Sequence, residues 1–221
     1  MNFEKKVILV VGASSGMGRV VASKLASQGA KLVITARSED KLASLRQSII
    51  SVGGECLALT ADALDEDAAS EVVNKTIEHF GRIDCVLLNA GGAPAIDMRT
   101  MSANDVKYYM RLNYDVTVNY LFPVLEQMKK QQSGLVAHTN SLAGFLGIPL
   151  QGPYSAAKAA TRLLIDTCRL EFAEYGIKFI NTYPGFVATE ITKNDGMEAP
   201  FEISEDKAAD HIIYALKKRK S

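Results

Sequence analysis

The sequence predicts an α/β fold, a single domain built on a doubly wound parallel sheet of six to seven strands. Short apolar runs alternate six times with longer helical stretches along the 221 residues. The apolar runs are nearly continuous, which is typical of strands that helices cover on both faces. A (β/α)8 barrel would need eight such units, and the chain is too short for eight. No linker interrupts the alternation, so we expect one domain over residues 1–221.

Each predicted element has a recognisable start or end. The predicted strands are residues 6–11, 31–36, 56–60, 83–88, 135–139 and 177–182. The predicted helices are residues 17–28, 39–51, 65–80, 102–131, 153–175 and 205–219. Asp65 and Ser204 are candidate N-caps, and Gly29, Gly81 and Gly176 follow helices where a left-handed residue is favoured. In such a sheet, ligands bind outside the carboxyl ends of the strands.

The composition favours a small neutral partner. Twenty-five basic residues balance twenty-five acidic ones, so no overall field attracts nucleic acid or an acidic membrane. No apolar run approaches membrane-spanning length, and the first run is too short for a signal peptide. Cys56, Cys85 and Cys168 lack metal-ligand or CxxC spacing. We therefore expect buried thiols in the cytoplasm and no metal site.

A glycine-rich turn joins the first predicted strand to the first helix. Gly12 can turn the chain tightly, Gly16 leaves room for phosphates at the helix N-terminus, and Gly18 lets the helix approach the sheet. Six residues of this turn would contact a dinucleotide, namely Gly12, Ser14, Ser15, Gly16, Met17 and Gly18. The alternative is a turn with only a packing role. A P-loop is excluded, because no Gly-Lys-Ser/Thr follows.

The end of the second strand predicts which dinucleotide binds. An acidic residue there would bind the ribose 2′-hydroxyl, whereas a basic residue would bind a 2′-phosphate. Arg37 and Ser38 occupy this place, so the sequence favours NADP(H) over NAD(H). The alternative is that Arg37 is a solvated surface residue and that Glu39 or Asp40 binds the ribose.

Three polar residues follow the fifth strand at a suggestive spacing. Ser141 precedes Tyr154 by thirteen residues, and Lys158 lies four residues after Tyr154, on the same face of a helix. A neighbouring ammonium is expected to lower the tyrosine pKa, so that Tyr154 can give or take a proton near neutral pH. Ser141 would orient a substrate oxygen. A Tyr/Lys pair at this spacing is, by itself, commonly a surface pair.

Together, the glycine turn, Ser141, Tyr154 and Lys158 resemble the short-chain dehydrogenase/reductase family, whose motifs recur here in order along almost the whole chain. Val11 stands where the family has the threonine of its TGxxxGxG motif. The resemblance implies a Rossmann fold and further site residues. The family's cofactor contacts would fall on Asp62, Asn89, Ala90, Gly91, Tyr154, Lys158, Pro184, Gly185, Val187 and Thr189. Asn113 matches the asparagine of the catalytic tetrad, and its structural alternative is a helix kink.

The resemblance implies an NADP(H)-dependent oxidoreductase that transfers hydride to or from a carbonyl or secondary alcohol, with Tyr154 as general acid and base. The alternatives are a cofactor-binding regulatory or scaffold protein with little turnover, and other chemistry such as epimerisation or dehydration. Two segments would determine substrate choice, residues 142–152 and residues 190–204. The first is mostly apolar, and its side chains could either line a substrate pocket or contact another subunit. The family also implies a homodimer or homotetramer. The family's seventh strand has no counterpart after the last predicted helix of this sequence. Either the protein is a minimal member or the chain is truncated.

Overall fold

The structure, a computed structural model, describes residues 1–92, 94–190 and 199–218. Its main sheet has six parallel strands in the order β3-β2-β1-β4-β5-β6. They are β1 (Val7–Val11), β2 (Lys31–Ala36), β3 (Glu55–Thr60), β4 (Cys85–Leu88), β5 (Gly134–Thr139) and β6 (Ile177–Thr182). All six agree with the predicted strands to within two residues at each end, which confirms the α/β fold.

Helices pack on both faces of this sheet. They are α1 (Gly16–Ala26), α2 (Glu39–Ser51), α3 (Glu66–Phe80), α4 (Ala103–Arg111), α5 (Asp115–Gln131), α6 (Gly152–Glu171) and α7 (Glu205–Lys218). On one face, Ile8 and Val10 of β1 pack in a core with α1, α2 and α7. On the other face, Leu9 and Val11 pack with α3, α5 and α6. The continuous apolar character of the strands follows from this double cover.

The strand order reverses between β1 and β4, the two central neighbours. From β1 the chain proceeds outward to β2 and β3, and from β4 it proceeds the other way to β5 and β6. Their diverging connections leave a crevice at the carboxyl ends of β1 and β4. The glycine turn follows β1 and the Asn89–Gly91 segment follows β4, so both motifs meet in this crevice.

The predicted helix over residues 102–131 is wrong as a single element. The structure has two helices there, α4 and α5, and Asn113 lies in the break between them. The predicted helix 153–175 also ends earlier, at Glu171, and a 3₁₀ turn follows over Ala173–Tyr175. Two short strands, β7 (Val187–Ala188) and β8 (Ile203–Ser204), were not predicted and pair with each other away from the main sheet.

The helix ends mostly use the residues that the sequence indicates. Asp65 Oδ1 accepts a hydrogen bond from the Ala68 N–H at 3.0 Å, and Ser204 Oγ accepts one from the Lys207 N–H at 3.2 Å. Gly81 adopts the left-handed conformation after α3, with φ +75°. Cys56, Cys85 and Cys168 are buried, and none of them forms a disulfide. Among the described helices, none is long and apolar enough to cross a membrane.

Candidate active site

A cleft of about 350 Å³ opens at the carboxyl ends of β1, β2 and β4. Of the residues that the sequence predicts to bind a cofactor, twelve line this cleft: Gly12, Ser14, Ser15, Gly16, Met17, Arg37, Ser38, Asp62, Asn89, Ala90, Gly91 and Thr189. The other six, Gly18, Tyr154, Lys158, Pro184, Gly185 and Val187, are not part of its wall. The structure thus brings together most of the predicted set around one cavity.

The three motif glycines have different local roles. Gly12 has φ +85°, and a Cβ there would lie 2.8 Å from the Ala90 backbone. A Cβ on Gly18 would collide with the Gly12 carbonyl, which explains why α1 can pack so close to β1. Gly16 has φ +59°, and the nearest atom to an added Cβ is a Glu205 side-chain oxygen at 3.7 Å. Packing therefore requires Gly12 and Gly18, while a side chain at Gly16 would clash with no neighbour and would instead occupy part of the cleft wall.

Arg37 and Ser38 lie on the cleft wall beyond β2, where the sequence places the adenosine end of a dinucleotide. Both side chains are exposed, so the Arg37 guanidinium is accessible to a ligand. Glu190, which also lines the cleft, forms an ion pair with Lys41 of α2 at 3.1 Å. Sequence reasoning missed this pair, since the two residues are far apart in the chain.

The cleft residues fit a nicotinamide dinucleotide on two observations. Gly16 lines the cleft at the N-terminus of α1, where an anion is stabilised and where the missing side chain lets a ligand approach the backbone. The Asn89 Oδ1 atom is shielded from solvent and accepts no hydrogen bond from the described residues. A shielded acceptor without a donor is unfavourable, and a hydroxyl of a bound ligand would satisfy it.

Ser141, Tyr154 and Lys158 converge at the end of β5. The Ser141 hydroxyl accepts a hydrogen bond from the Ala143 N–H at 3.1 Å, and it is also hydrogen-bonded to the Tyr154 hydroxyl. Tyr154 and Lys158 lie one turn apart in α6, and the Lys158 Nζ atom is 5.6 Å from the centroid of the Tyr154 ring. Lys158 is only 4% exposed, so the pair is not a surface pair.

Burial dominates the titration of both groups. It raises the pKa of Tyr154, and the hydrogen bond with Ser141 opposes this increase. The expectation that the Lys158 ammonium lowers the Tyr154 pKa is therefore wrong for this structure. Burial also lowers the pKa of Lys158 to about 8, and its Nζ atom donates a hydrogen bond to the Thr139 carbonyl at 2.8 Å.

Asn113 is fully buried and connects the α4–α5 break to the segment after β4. Its Oδ1 atom accepts from the Gly92 N–H at 3.0 Å, and its Nδ2 atom donates to the Gly92 carbonyl at 2.9 Å. A third bond runs from Nδ2 to the Tyr109 carbonyl at 3.1 Å. The side chain is thus occupied by backbone partners. The structural role that the sequence left open, a break in the helix, is present.

The segment after β6 contributes less directly to the cleft than the resemblance implies. The Pro184 carbonyl accepts from the Leu142 N–H at 3.1 Å, and Val187 pairs with Ile203 in the β7–β8 ladder. Both contacts tie this segment to neighbouring loops. Of residues 190–204, the second segment in which the sequence places substrate choice, residues 191–198 lie outside the described part of the chain.

His138 is the one buried histidine near this site. Its Nδ1 atom lies 3.0 Å from Asn181 Oδ1, and burial lowers its pKa to about 3. The ring therefore stays neutral at physiological pH.

A parallel sheet with a glycine turn at its switch point and a Ser/Tyr/Lys group beside it defines a dinucleotide-binding α/β oxidoreductase. The family model described as short chain dehydrogenase matches residues 6–199. The chain belongs to this family, the short-chain dehydrogenases/reductases, whose members bind a nicotinamide cofactor and act on small molecules.

Individual relatives agree with this assignment. An uncharacterized oxidoreductase of Thermotoga maritima is 36% identical over 86% of this chain and 75% of its own length. A 3-oxoacyl-[acyl-carrier-protein] reductase of Synechocystis is 34% identical over 86% of this chain and 77% of its own length. The alcohol dehydrogenase of the archaeon Thermococcus sibiricus, complexed with 5-hydroxy-NADP, superposes with a TM-score of 0.88 at 28% identity, covering 97% and 91% of the two chains.

Proposed function

We propose that the protein is an NADP(H)-dependent oxidoreductase that interconverts a carbonyl compound and its alcohol, with Tyr154 as the general acid and base. The observation that carries the proposal is the hydrogen bond between Tyr154 and Ser141, with Lys158 buried one helical turn away. These are the groups needed to hold a substrate oxygen and to move one proton to or from it.

The nicotinamide, when bound, supplies the hydride in reduction and accepts it in oxidation. In reduction, the Tyr154 hydroxyl donates its proton to the carbonyl oxygen as that oxygen gains negative charge. The Ser141 hydroxyl, whose lone pair is engaged by the Ala143 N–H, donates a second hydrogen bond to the same oxygen. Lys158, with a pKa of about 8, can carry the proton that restores Tyr154. In oxidation, the same groups act in the reverse sense.

The Tyr154→Phe variant tests this mechanism. It removes the proton donor but keeps the ring, so we expect NADPH oxidation against a panel of ketones and aldehydes to fall at least a hundredfold, the lower range for a general acid. NADPH binding, measured by fluorescence, should persist. Tyr214→Phe, at an exposed position on α7, is the matched control. Undiminished turnover in Tyr154→Phe would refute the role of Tyr154.

We infer NADP(H), and not NAD(H), from Arg37 and Ser38 on the cleft wall. The NADP derivative bound to the Thermococcus sibiricus relative supports the same choice. Arg37→Asp replaces the phosphate partner with an acid that suits a free 2′-hydroxyl, so the ratio of NADPH to NADH affinity should fall by tenfold or more. Lys75→Asp reverses the charge of an exposed residue that does not line the cleft. Equal ratios in the two variants would rule out Arg37 as the determinant.

A binding protein with little turnover is the second candidate function, and epimerisation or dehydration on the same fold is the third. The assembled Ser141, Tyr154 and Lys158 group favours an active enzyme over the second candidate. Tight NADPH binding without turnover on any substrate would favour the second candidate.

The proposed partners are an apolar carbonyl or alcohol substrate and further copies of this chain, in the cytoplasm, with no nucleic acid and no membrane insertion. A homodimer or homotetramer through α5 and α6 is supported by exposed apolar side chains there, namely Phe122, Leu163 and Leu170.

A further inference from the structure

Asn140 connects the end of β5 to α6, the helix that carries Tyr154 and Lys158. Its Nδ2 atom donates a hydrogen bond to the Lys158 carbonyl at 3.1 Å, and its Oδ1 atom accepts one from the Ser141 N–H at 2.8 Å. One amide group thereby joins the backbones of two residues of the candidate active site. We call this pair of hydrogen bonds the Asn140 bridge.

The surroundings of Asn140 leave its amide little freedom. The residue is only 1% exposed, and its own N–H donates to the Thr182 carbonyl, at the end of β6, at 2.9 Å. A Cβ on Gly144 would lie 2.7 Å from Asn140 Oδ1 and 3.1 Å from the Lys158 carbonyl, so the 3₁₀ turn that follows Ser141 packs directly against the bridge. A buried amide with both polar atoms paired holds its partners at fixed distances, because moving either partner leaves a polar group unsatisfied.

The bridge is also the connection that can last through the reaction. In this structure, the Ser141 and Tyr154 hydroxyls are bonded to each other. In the proposed reaction both hydroxyls turn to the substrate oxygen, so their mutual bond cannot hold them at the right spacing. The groups that Asn140 joins are a backbone N–H and a backbone carbonyl, and neither takes part in the chemistry.

We propose, on the basis of the function proposed above, that Asn140 is a positioning residue, which holds the Ser141 hydroxyl at the distance from Tyr154 that a shared substrate oxygen requires. Asn140 does not line the cleft, so it acts on the substrate through Ser141 and Lys158. A misplacement of about 1 Å in an active site can lower a rate by about a hundredfold. Loss of the bridge should therefore slow the chemical step and leave cofactor binding unchanged.

The test compares Asn140→Ala, which removes the bridge, with Asn181→Ala. Asn181 is the matched control, a buried asparagine of β6 that is 7% exposed and is hydrogen-bonded to His138. With saturating NADPH and a ketone substrate, we expect kcat to fall by about tenfold or more in Asn140→Ala and by less than about threefold in Asn181→Ala. The dissociation constant of NADPH, measured by fluorescence, should stay within about threefold of the native value in both variants.

The pH profile of alcohol oxidation separates positioning from a merely structural role. Tyr154 has to lose its proton before it can accept one from the alcohol, and the bond with Ser141 opposes the increase that burial causes in its pKa. When Ser141 is misplaced, this opposition weakens, so kcat/KM should begin to rise at a higher pH in Asn140→Ala than in the native enzyme. Asn181→Ala should keep the native profile.

Asn140→Ser is the second variant if Asn140→Ala folds poorly. Its side chain keeps a polar atom, but it is one bond too short to reach the Lys158 carbonyl. We therefore expect the same lower kcat and the same shift of the pH profile.

The outcomes separate this inference from the function on which it rests. A native enzyme with turnover and Asn140 variants with unchanged kcat would overturn the positioning role and leave the oxidoreductase proposal standing. Equal losses of kcat in the Asn140 and Asn181 variants, a parallel loss of NADPH affinity, or a lower kcat with the native pH profile would also overturn it. A native enzyme that turns over no ketone or aldehyde removes the proposed function and this inference together. A lower kcat, native NADPH affinity and a shifted pH profile in the Asn140 variants alone support both.

Discussion

Lys158 carries a charge in a place where the protein shields it from water. Burial lowers its pKa to about 8 from the ordinary lysine value of 10.5. Below pH 8 the lysine is protonated in the folded and the unfolded chain, so the cost of burying the charge is fully present. Between pH 8 and 10.5 the folded chain loses the proton first, and the unfolded chain then binds more protons. This group therefore makes the free energy of unfolding rise with pH in that window.

Lys158→Met should remove this pH dependence. We compare the free energies of unfolding of the native protein and Lys158→Met without cofactor. Between pH 7 and 10.5, the value for the native protein should rise relative to that of the variant by up to about 3 kcal/mol, because each pKa unit corresponds to about 1.4 kcal/mol. Urea unfolding curves at several pH values measure it. Lys129→Met is the control, because Lys129 lies near the end of α5 and is exposed. Parallel pH profiles for the native protein and Lys158→Met would contradict the lowered pKa.

Sequence spacing could predict Ser141, Tyr154 and Lys158 as a group, because residues four apart in a helix share a face and a serine after a strand lies near the next helix start. It could not predict the direction of the Tyr154 pKa. That depends on how deeply the ring is buried and on its hydrogen bond with Ser141. Neither is visible in local spacing.

At the scale of elements, the α4–α5 break shows where pattern reasoning fails. The helical pattern continues through residues 112–114, so the sequence predicts one helix. The interruption is stabilised by the bonds between Asn113 and Gly92, which lies 21 residues earlier in the chain. The two-residue strands β7 and β8 were missed for a related reason, since so short a ladder has no periodicity to detect.

Asn113→Ala should therefore destabilise the protein substantially. The variant loses three hydrogen bonds, and with each worth about 1 kcal/mol net, the free energy of unfolding should fall by about 2–4 kcal/mol. Asn113→Asp keeps an acceptor for the Gly92 N–H, but it loses both donated bonds and places a carboxyl oxygen against the Gly92 and Tyr109 carbonyls in a fully buried site, so we expect a loss at least as large. Denaturant unfolding measures both. A loss below about 1 kcal/mol in Asn113→Ala would show that the junction does not depend on this side chain.

For the whole molecule, the alternation of apolar runs was enough to predict a doubly wound parallel sheet. Strands that are apolar on both faces must be covered twice, and the two cores around β1 provide that cover. Surfaces are harder to predict, because an exposed apolar side chain and a buried one look the same in sequence. Leu163 and Leu170 lie seven residues apart on α6, hence on one face, and they are 58% and 79% exposed.

This outer face of α6, together with Phe122 of α5, is where we expect another subunit to pack. Isolated exposed leucines are normal, but two on one helical face form an apolar surface that a second copy can cover, and Phe122 of α5 is exposed as well. Leu163→Glu combined with Leu170→Glu would bury four carboxylates in a twofold interface, which is unfavourable without partners. We expect the mass measured by light scattering to fall from that of a dimer or tetramer to that of a smaller species. Val52→Glu, at a 72% exposed position following α2, should leave the mass unchanged. A native protein that is monomeric, or a double variant that keeps the native mass, would show that α6 is not the assembly surface.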